Sequence, residues 1–128
     1  MKAKNFELFI GYLGNGATVC NSAVYEHGDY KHIAHISPAG NIKLYVAADY
    51  IPEEAMQEIK ATAERHKEKT LQRLQLELSN KYNFYRVLSE ICNYTPYRVS
   101  DQLFNDLKQC ETEEARREVV TACYMQNF

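Results

Sequence analysis

The strongest constraint on the fold is an abrupt change of pattern at Tyr50. Before this residue, short apolar segments alternate with turn residues at a period of two, which is typical of β-strands. After it, apolar residues recur every three or four positions, which is typical of helices. The sequence therefore predicts an α+β protein, with an antiparallel β-meander in residues 1–50 and a helical region in residues 51–128. We expect one compact domain, or a domain with a helical extension.

Four segments of the first region have the pattern of strands: residues 6–13, 18–26, 30–37 and 41–46. The first segment places Phe6, Leu8, Ile10 and Tyr12 on one face. The Gly-Asn-Gly sequence at 14–16 predicts a tight hairpin turn. A phosphate-binding loop is disfavoured there because a strand, and not a helix, follows it. The sequence thus predicts a four-stranded antiparallel meander.

A long helix is predicted over residues 52–78, because Pro52 and the two following glutamates suit a helix start. Its middle, residues 64–69, is almost wholly charged or polar and is expected to be solvated. Three shorter helices follow, the last beginning near Thr112. Their apolar stripes are Phe84, Val87, Leu88 and Ile91; Val99, Leu103 and Leu107; and Ala115, Val119, Ala122 and Cys123.

Residues 88–103 have the features of a bihelical motif: a small Ser89 where the helices approach, Asn93 at the turn, Thr95 as a cap and Val99 facing inward. The segment resembles the helix-turn-helix family of DNA-binding proteins. The resemblance implies that the helix over residues 96–108 enters the major groove. It implies these base-facing residues: Tyr97, Arg98, Asp101 and Gln102. Gln102 departs from the family pattern, which carries an apolar residue there.

Charge disfavours DNA as the partner. The chain has a formal net charge of −2, and from residue 84 onward five cations stand against seven acids. Phosphate contacts supply much of the affinity for DNA, and this region has few cations to offer. The bihelical segment is therefore interpreted first as a packed helix hairpin or a scaffold for protein binding, with DNA binding as the alternative.

Tyrosine is the most informative residue type, since the chain has ten tyrosines and no tryptophan. Tyr and Arg are enriched at interface hot spots. We predict a protein-binding surface formed by Tyr82, Tyr85, Tyr94 and Tyr97. The alternative is that these side chains pack within the fold. The predicted function is that of a non-catalytic protein whose partner is another protein.

Cys20 and the histidines at 27, 32 and 35 raise the question of a metal site or a Cys–His catalytic pair. His32 and His35 are three positions apart, so a regular strand points them to opposite faces. Zinc sites also rest on tighter paired spacings. We therefore expect no metal, no cofactor and no enzymatic activity.

The expected location is the cytoplasm. No apolar run is long enough for a signal peptide or a membrane span, and the four cysteines are scattered without a CxxC pair. We expect free thiols and no membrane contact. The edge strands of a meander and the long helix can be buried by two-fold pairing, which predicts a homodimer.

Two short runs, GYLGNG at residues 11–16 and HISPAGNI at residues 35–42, suggest a further likeness. Across residues 12–52 the chain resembles small uncharacterised proteins carried by phages and integrative elements of gut bacteria. The resemblance implies an accessory role in a mobile element, such as blocking a host defence protein like a CRISPR effector. It carries over no site residues.

Overall fold

The computed structural model describes residues 5–13, 16–26 and 29–128. Four strands form one antiparallel sheet: β1 (Leu8–Leu13), β2 (Gly16–Glu26), β3 (Asp29–Ile36) and β4 (Ile42–Leu44). They are hydrogen-bonded in chain order, which confirms the predicted meander. Residues 14 and 15 of the predicted Gly-Asn-Gly turn lie outside the described residues.

A 3₁₀ turn (Ala48–Tyr50) leads from the sheet to four helices: α1 (Glu53–Leu78), α2 (Lys81–Tyr94), α3 (Tyr97–Lys108) and α4 (Glu113–Asn127). This order confirms the predicted α+β class. Asn80 caps α2, and the Thr112 side chain caps α4 by accepting from the backbone N–H of Ala115. Within the part of the chain that the structure describes, none of the helices combines the length and apolar character needed to cross a bilayer.

The chain forms two compact units, one ending at Lys67 and the other running from Glu68 to Phe128. The boundary falls inside α1, in the charged segment over residues 64–69. Most of that segment is exposed, as predicted. The change of pattern at residue 50 thus marks where strands give way to helices, whereas the compact units divide further along the chain.

In the first unit, α1 packs on one face of the sheet. Ile59 of α1 is completely buried, as are Val19 and Ile36 of the two central strands. Tyr12 lies at the margin of this face, where it is 66% exposed and its ring stacks on His66 at a centroid distance of 6.0 Å. The side chains on one face of the strands therefore form the core of the first unit, as the period of two predicts.

A β-bulge interrupts β3 at Ile33. Ala34 pairs with Val19, but the next residue of β2, Cys20, pairs with His32, so Ile33 is an extra residue without a counterpart. Both Ile33 and Ala34 are completely buried. The bulge thereby turns two consecutive side chains into the core.

Because of the bulge, His32 and His35 are oriented differently from the prediction. His35 pairs with Thr18, and His32 pairs with Cys20 two positions further along β2. Residues two apart on a strand share a face, and cross-strand partners share that face as well. His32 and His35 therefore lie on the same face, and the expectation of opposite faces is wrong because it assumed unbroken alternation.

Asn21 is a completely buried polar residue that joins three segments of the first unit. Its Oδ1 accepts hydrogen bonds from the backbone N–H groups of Glu7 at 3.0 Å and Ala23 at 3.1 Å. Its Nδ2 donates to the carbonyl oxygen of Asn5 at 2.9 Å and to the hydroxyl of Tyr50 at 3.1 Å. All the hydrogen-bonding positions of the amide are thus used. The contacts tie the segment before β1 and the 3₁₀ turn to β2.

Gly40→Ala is expected to destabilise the first unit. Gly40 lies between β3 and β4 with a φ of +83°, and an added Cβ would meet the carbonyl oxygen of Ala63 on α1. Left-handed backbone at a non-glycine residue costs about 1–3 kcal/mol, and the collision with backbone adds to it. We expect a lower midpoint in urea unfolding followed by circular dichroism.

Gly11→Ala is the matched control for this substitution. Gly11 is not among the positive-φ glycines, and its added Cβ would lie 3.4 Å from the nearest ring carbon of Phe9, close to an ordinary contact. Its midpoint should stay near that of the unsubstituted protein. An equal loss of stability in both variants would contradict the close approach of α1 to the turn.

Candidate protein-binding surface

The four tyrosines predicted to bind a protein are all largely exposed. Tyr82 is 87% exposed, Tyr85 58%, Tyr94 77% and Tyr97 81%. The alternative, that these side chains pack inside the fold, does not hold for them. Exposed rings with a polar hydroxyl are well suited to contact another protein, because they bury a large area with few rotatable bonds. Their binding role stays a prediction.

The amphipathic pattern of α2 decides where the first two rings point. The buried stripe of this helix is formed by Val87, Leu88 and Ile91. At about 100° per residue, Tyr82 lies nearly opposite the stripe and Tyr85 lies on its flank. The tyrosines are therefore exposed because the same helix must bury its other side.

The four tyrosines form two pairs and not one patch. Tyr82 and Tyr85 lie near the start of α2, whereas Tyr94 ends α2 and Tyr97 begins α3. At a rise of about 1.5 Å per residue, Tyr82 and Tyr94 are about 18 Å apart along the helix axis. A partner that contacts both pairs must follow nearly the whole length of α2.

Residues 88–103 form two helices, but their junction differs from the expected one. Asn93 is still helical, and only Thr95 and Pro96 separate α2 from α3. The hydroxyl of Thr95 donates to the carbonyl oxygen of Ile91 in α2. The expectation that Thr95 caps α3 is wrong, because Pro96 takes the capping position and makes no side-chain hydrogen bond there.

The expected approach of the two helices at Ser89 is also wrong. Ser89 is exposed, and the small buried residue is Ser100 on α3, which is 6% exposed. Val99 packs against the core as expected, next to the buried Leu103. The helices therefore pack through the apolar stripe of α3, and Ser89 takes no part in the core.

All four residues of the DNA-binding alternative are exposed on α3: Tyr97, Arg98, Asp101 and Gln102. The Nε2 of Gln102 donates to a carboxylate oxygen of Asp106 at 2.9 Å, one turn further along the helix. The cations of α3 are Arg98 and Lys108, and they are balanced by Asp101 and Asp106. A helix without excess positive charge makes few favourable contacts with phosphate.

A groove of about 380 Å³ lies beside Tyr85. Residues at the starts of α2 and α4 form most of it, including the cations Lys81, Arg116 and Arg117, the acid Glu113, and the rings of Phe84 and Tyr85. Three cations thus face one acid in a chain whose net charge is −2. Sequence reasoning missed this groove because its cations come from α2 and α4, which only the folded chain brings together.

A polar network joins α1, α2 and α4 in the same unit. The Nη2 of Arg73 donates to the hydroxyl of Tyr124 at 2.9 Å, and that hydroxyl in turn donates to Oε1 of Glu90 at 3.3 Å. Arg73 also pairs with Glu77 at 3.2 Å, and Glu77 pairs with Arg86 at 2.8 Å. Tyr124 is only 2% exposed. The network holds together the helices that form the groove.

The buried side of α4 differs from the predicted one. Ala122, which was expected on the apolar side, is exposed, whereas Val120 and Tyr124 are buried. Val119 and Cys123 pack against the core as expected. The predicted apolar side is therefore wrong at Ala122 and omits Tyr124. A tyrosine can be buried when its hydroxyl has hydrogen-bonding partners, as that of Tyr124 has.

The environment of Tyr124 favours its neutral hydroxyl. Burial raises the pKa of Tyr124 above its ordinary value, the positive charge of Arg73 acts against this shift, and the negative charge of Glu90 adds to it. A neutral hydroxyl can accept from the guanidinium and donate to the carboxylate at once.

Cys20 contacts His32, and its thiol has the properties of a packed side chain. Sγ of Cys20 lies 3.5 Å from Nδ1 of His32. The thiol is 4% exposed, and burial raises the pKa of Cys20, which disfavours the reactive thiolate. Among the residues that the structure describes, no group of three potential ligands could hold a metal ion, and His27 lies outside them.

Comparison of the chain with protein-family models, with curated proteins and with solved structures found no match. We therefore infer the function from the surfaces of the molecule itself.

Tyr124→Phe is expected to lower the free energy of unfolding of the helical unit by about 1 kcal/mol at neutral pH. It removes the hydroxyl that contacts Arg73 and Glu90, and it keeps the ring that stacks on Phe128 at 4.4 Å. Because the pKa of Tyr124 is raised in the folded state, this contribution is complete below the unfolded value of about 10. It is lost as the pH rises through the folded value.

Urea unfolding of both proteins between neutral and strongly alkaline pH measures this difference. Tyr82→Phe is the control, since Tyr82 is 87% exposed and its loss of a hydroxyl should change nothing. A gap between Tyr124→Phe and the unsubstituted protein that stays constant at high pH would contradict the direction of the pKa shift.

Proposed function

We propose that the chain is a non-catalytic accessory protein that acts by binding another protein. The exposure of the four tyrosines carries this proposal, because each keeps more than half of its surface open to solvent. By contrast, Val87, Leu88 and Ile91 of α2 are buried. Aromatic residues of this kind supply much of the binding energy at protein interfaces. The burial of Cys20 and the raised pKa of its thiol support the absence of catalysis by that residue.

The proposed setting is a phage or another mobile element of gut bacteria, and the proposed role is to block a host defence protein such as a CRISPR effector. The likeness of residues 12–52 to small proteins of such elements supports this part of the proposal. A cytoplasmic location is included, since free cysteines suit a reducing compartment. A two-fold dimer is included as well, because β1 and β4 are the outer strands of the sheet.

Two double variants test the surface and separate its halves: Tyr82→Ala with Tyr85→Ala, and Tyr94→Ala with Tyr97→Ala. Truncation of a hot-spot tyrosine costs about 2 kcal/mol or more of binding free energy. The protein is used to purify its partner from the native host, and the sample is treated with nuclease so that partners bound only through nucleic acid are removed. We expect at least one double variant to lower the recovery of the remaining partner by about tenfold or more.

Tyr45→Ala is the matched control, because Tyr45 is 55% exposed but belongs to the first unit. Circular dichroism verifies that all variants keep the fold. Unchanged recovery of the partner with both double variants would reject this surface.

The alternative function is a DNA-binding transcriptional regulator of the helix-turn-helix class. The exposure of Tyr97, Arg98, Asp101 and Gln102 on one helix favours it. The balanced charge of α3 disfavours it.

We expect duplex DNA to bind no more tightly than the non-specific range of roughly 10⁻⁴ to 10⁻⁶ M at physiological salt. Arg98→Ala should leave this weak binding nearly unchanged. The measurement is a titration of labelled duplex fragments at several salt concentrations. Sequence-specific binding that falls steeply with salt and is lost in Arg98→Ala would favour the regulator over the protein-binding function.

A further inference from the structure

The groove formed by the starts of α2 and α4 has a charge opposite to that of the whole chain. Lys81, Arg116 and Arg117 line it against the single acid Glu113, whereas the chain as a whole has a net charge of −2. A local excess of one sign in a concave site favours ligands of the other sign. We propose that this groove binds an acidic peptide segment of the protein partner. The inference rests on the proposed function and specifies the chemistry of the partner.

The cations of the groove are available to a ligand. Elsewhere in this unit, Arg73 and Arg86 are both held by Glu77. No described residue forms such an ion pair with Lys81, Arg116 or Arg117.

Arginine can donate to both oxygens of a carboxylate through its planar fork. The two adjacent arginines of α4 therefore suit a segment that carries more than one Asp or Glu.

The rings of Phe84 and Tyr85 give the groove an apolar wall. They meet edge to face at a centroid distance of 6.0 Å and an interplanar angle of 89°. Phe84 packs against the core of the unit, and Tyr85 is 58% exposed. Anchoring to the core keeps the wall in place beside the cations. An acidic segment that also carries an apolar side chain therefore fits the groove better than a purely ionic ligand does.

The size of the groove favours a peptide segment over a folded surface. Its volume of about 380 Å³ accommodates a few side chains. Tyr82, at 87% exposure on the same end of α2, extends the contact area beyond the groove. A short acidic segment held in the groove, with neighbouring residues against Tyr82, thus accounts for both the charge and the exposed rings.

Glu113 provides a test of opposite sign on the same surface. Its carboxylate opposes an acidic ligand, so removing its charge should strengthen binding, whereas reversing an arginine should weaken it. We expect Arg116→Glu to keep the fold, because residue 116 is exposed and lies near the positive end of the α4 dipole. Opposite effects from two neighbouring residues would not arise from a general loss of structure.

The experiment measures the fluorescence anisotropy of a labelled peptide rich in Asp and Glu around a central Phe. A second labelled peptide with Lys at every acidic position is the ligand control. We expect the acidic peptide to bind and the basic one not to bind. Arg116→Glu should weaken the acidic peptide about tenfold, and Glu113→Gln should strengthen it a few fold.

Lys69→Glu is the matched control variant, because it makes the same charge change at an exposed residue of α1 outside the groove lining. Equal weakening by Lys69→Glu and Arg116→Glu would overturn the site, since only the overall charge would then matter. Binding of the basic peptide, or no binding of the acidic one, would overturn it too. So would preferential binding of a labelled single-stranded DNA that Arg116→Glu abolishes.

Partner recovery from the native host distinguishes this inference from the proposed function. A partner that is lost with the tyrosine variants but fully recovered with Arg116→Glu would overturn the groove and leave the proposed function standing. Recovery of no partner after nuclease treatment would overturn the proposed function, and that result does not depend on the peptides.

Discussion

The packing of α1 is the interaction on which both compact units depend. Its first half contributes the buried Ile59 and Ala63 to the core under the sheet, and its second half contributes the buried Leu74 and Leu78 to the core of the helical unit. Between them, residues 64–69 are mostly exposed. Loss of a large buried side chain at such positions costs about 2–5 kcal/mol. Without this helix, each unit would lose the buried side chains that α1 contributes to its core.

Much of the fold follows from periodicity alone. The strands show a period of two, and the stripes of Val87, Leu88 and Ile91 in α2 and of Leu103 in α3 are buried as predicted. The bulge at Ile33 could not be predicted, because it depends on how β3 registers with β2. The role of Asn21 was equally hidden. Its partners come from distant segments that only the folded chain brings together.

The sequence predicted the tyrosines of the candidate site, but it did not predict their arrangement in two pairs or the groove beside Tyr85. The abundance of tyrosine indicated a contact surface, and the pattern of α2 explains the exposure of Tyr82 and Tyr85. Their separation from Tyr94 and Tyr97 follows only from helix dimensions. The basic groove needs α4 beside the start of α2, which the sequence does not encode locally. Arg116 and Arg117 looked like ordinary surface charges until these elements were placed together.

The contacts of Asn21 also affect its chemical durability. Asparagine followed by serine is open to deamidation, in which the next backbone nitrogen attacks the side-chain carbonyl carbon. Here the backbone N–H of Ser22 donates to the carbonyl oxygen of Glu7 at 2.8 Å, and the amide of Asn21 is held by four hydrogen bonds. The nitrogen and the carbon are thus kept from approaching. The hydrogen bonds by which Asn21 joins β2 to its neighbours therefore also disfavour deamidation of Asn21.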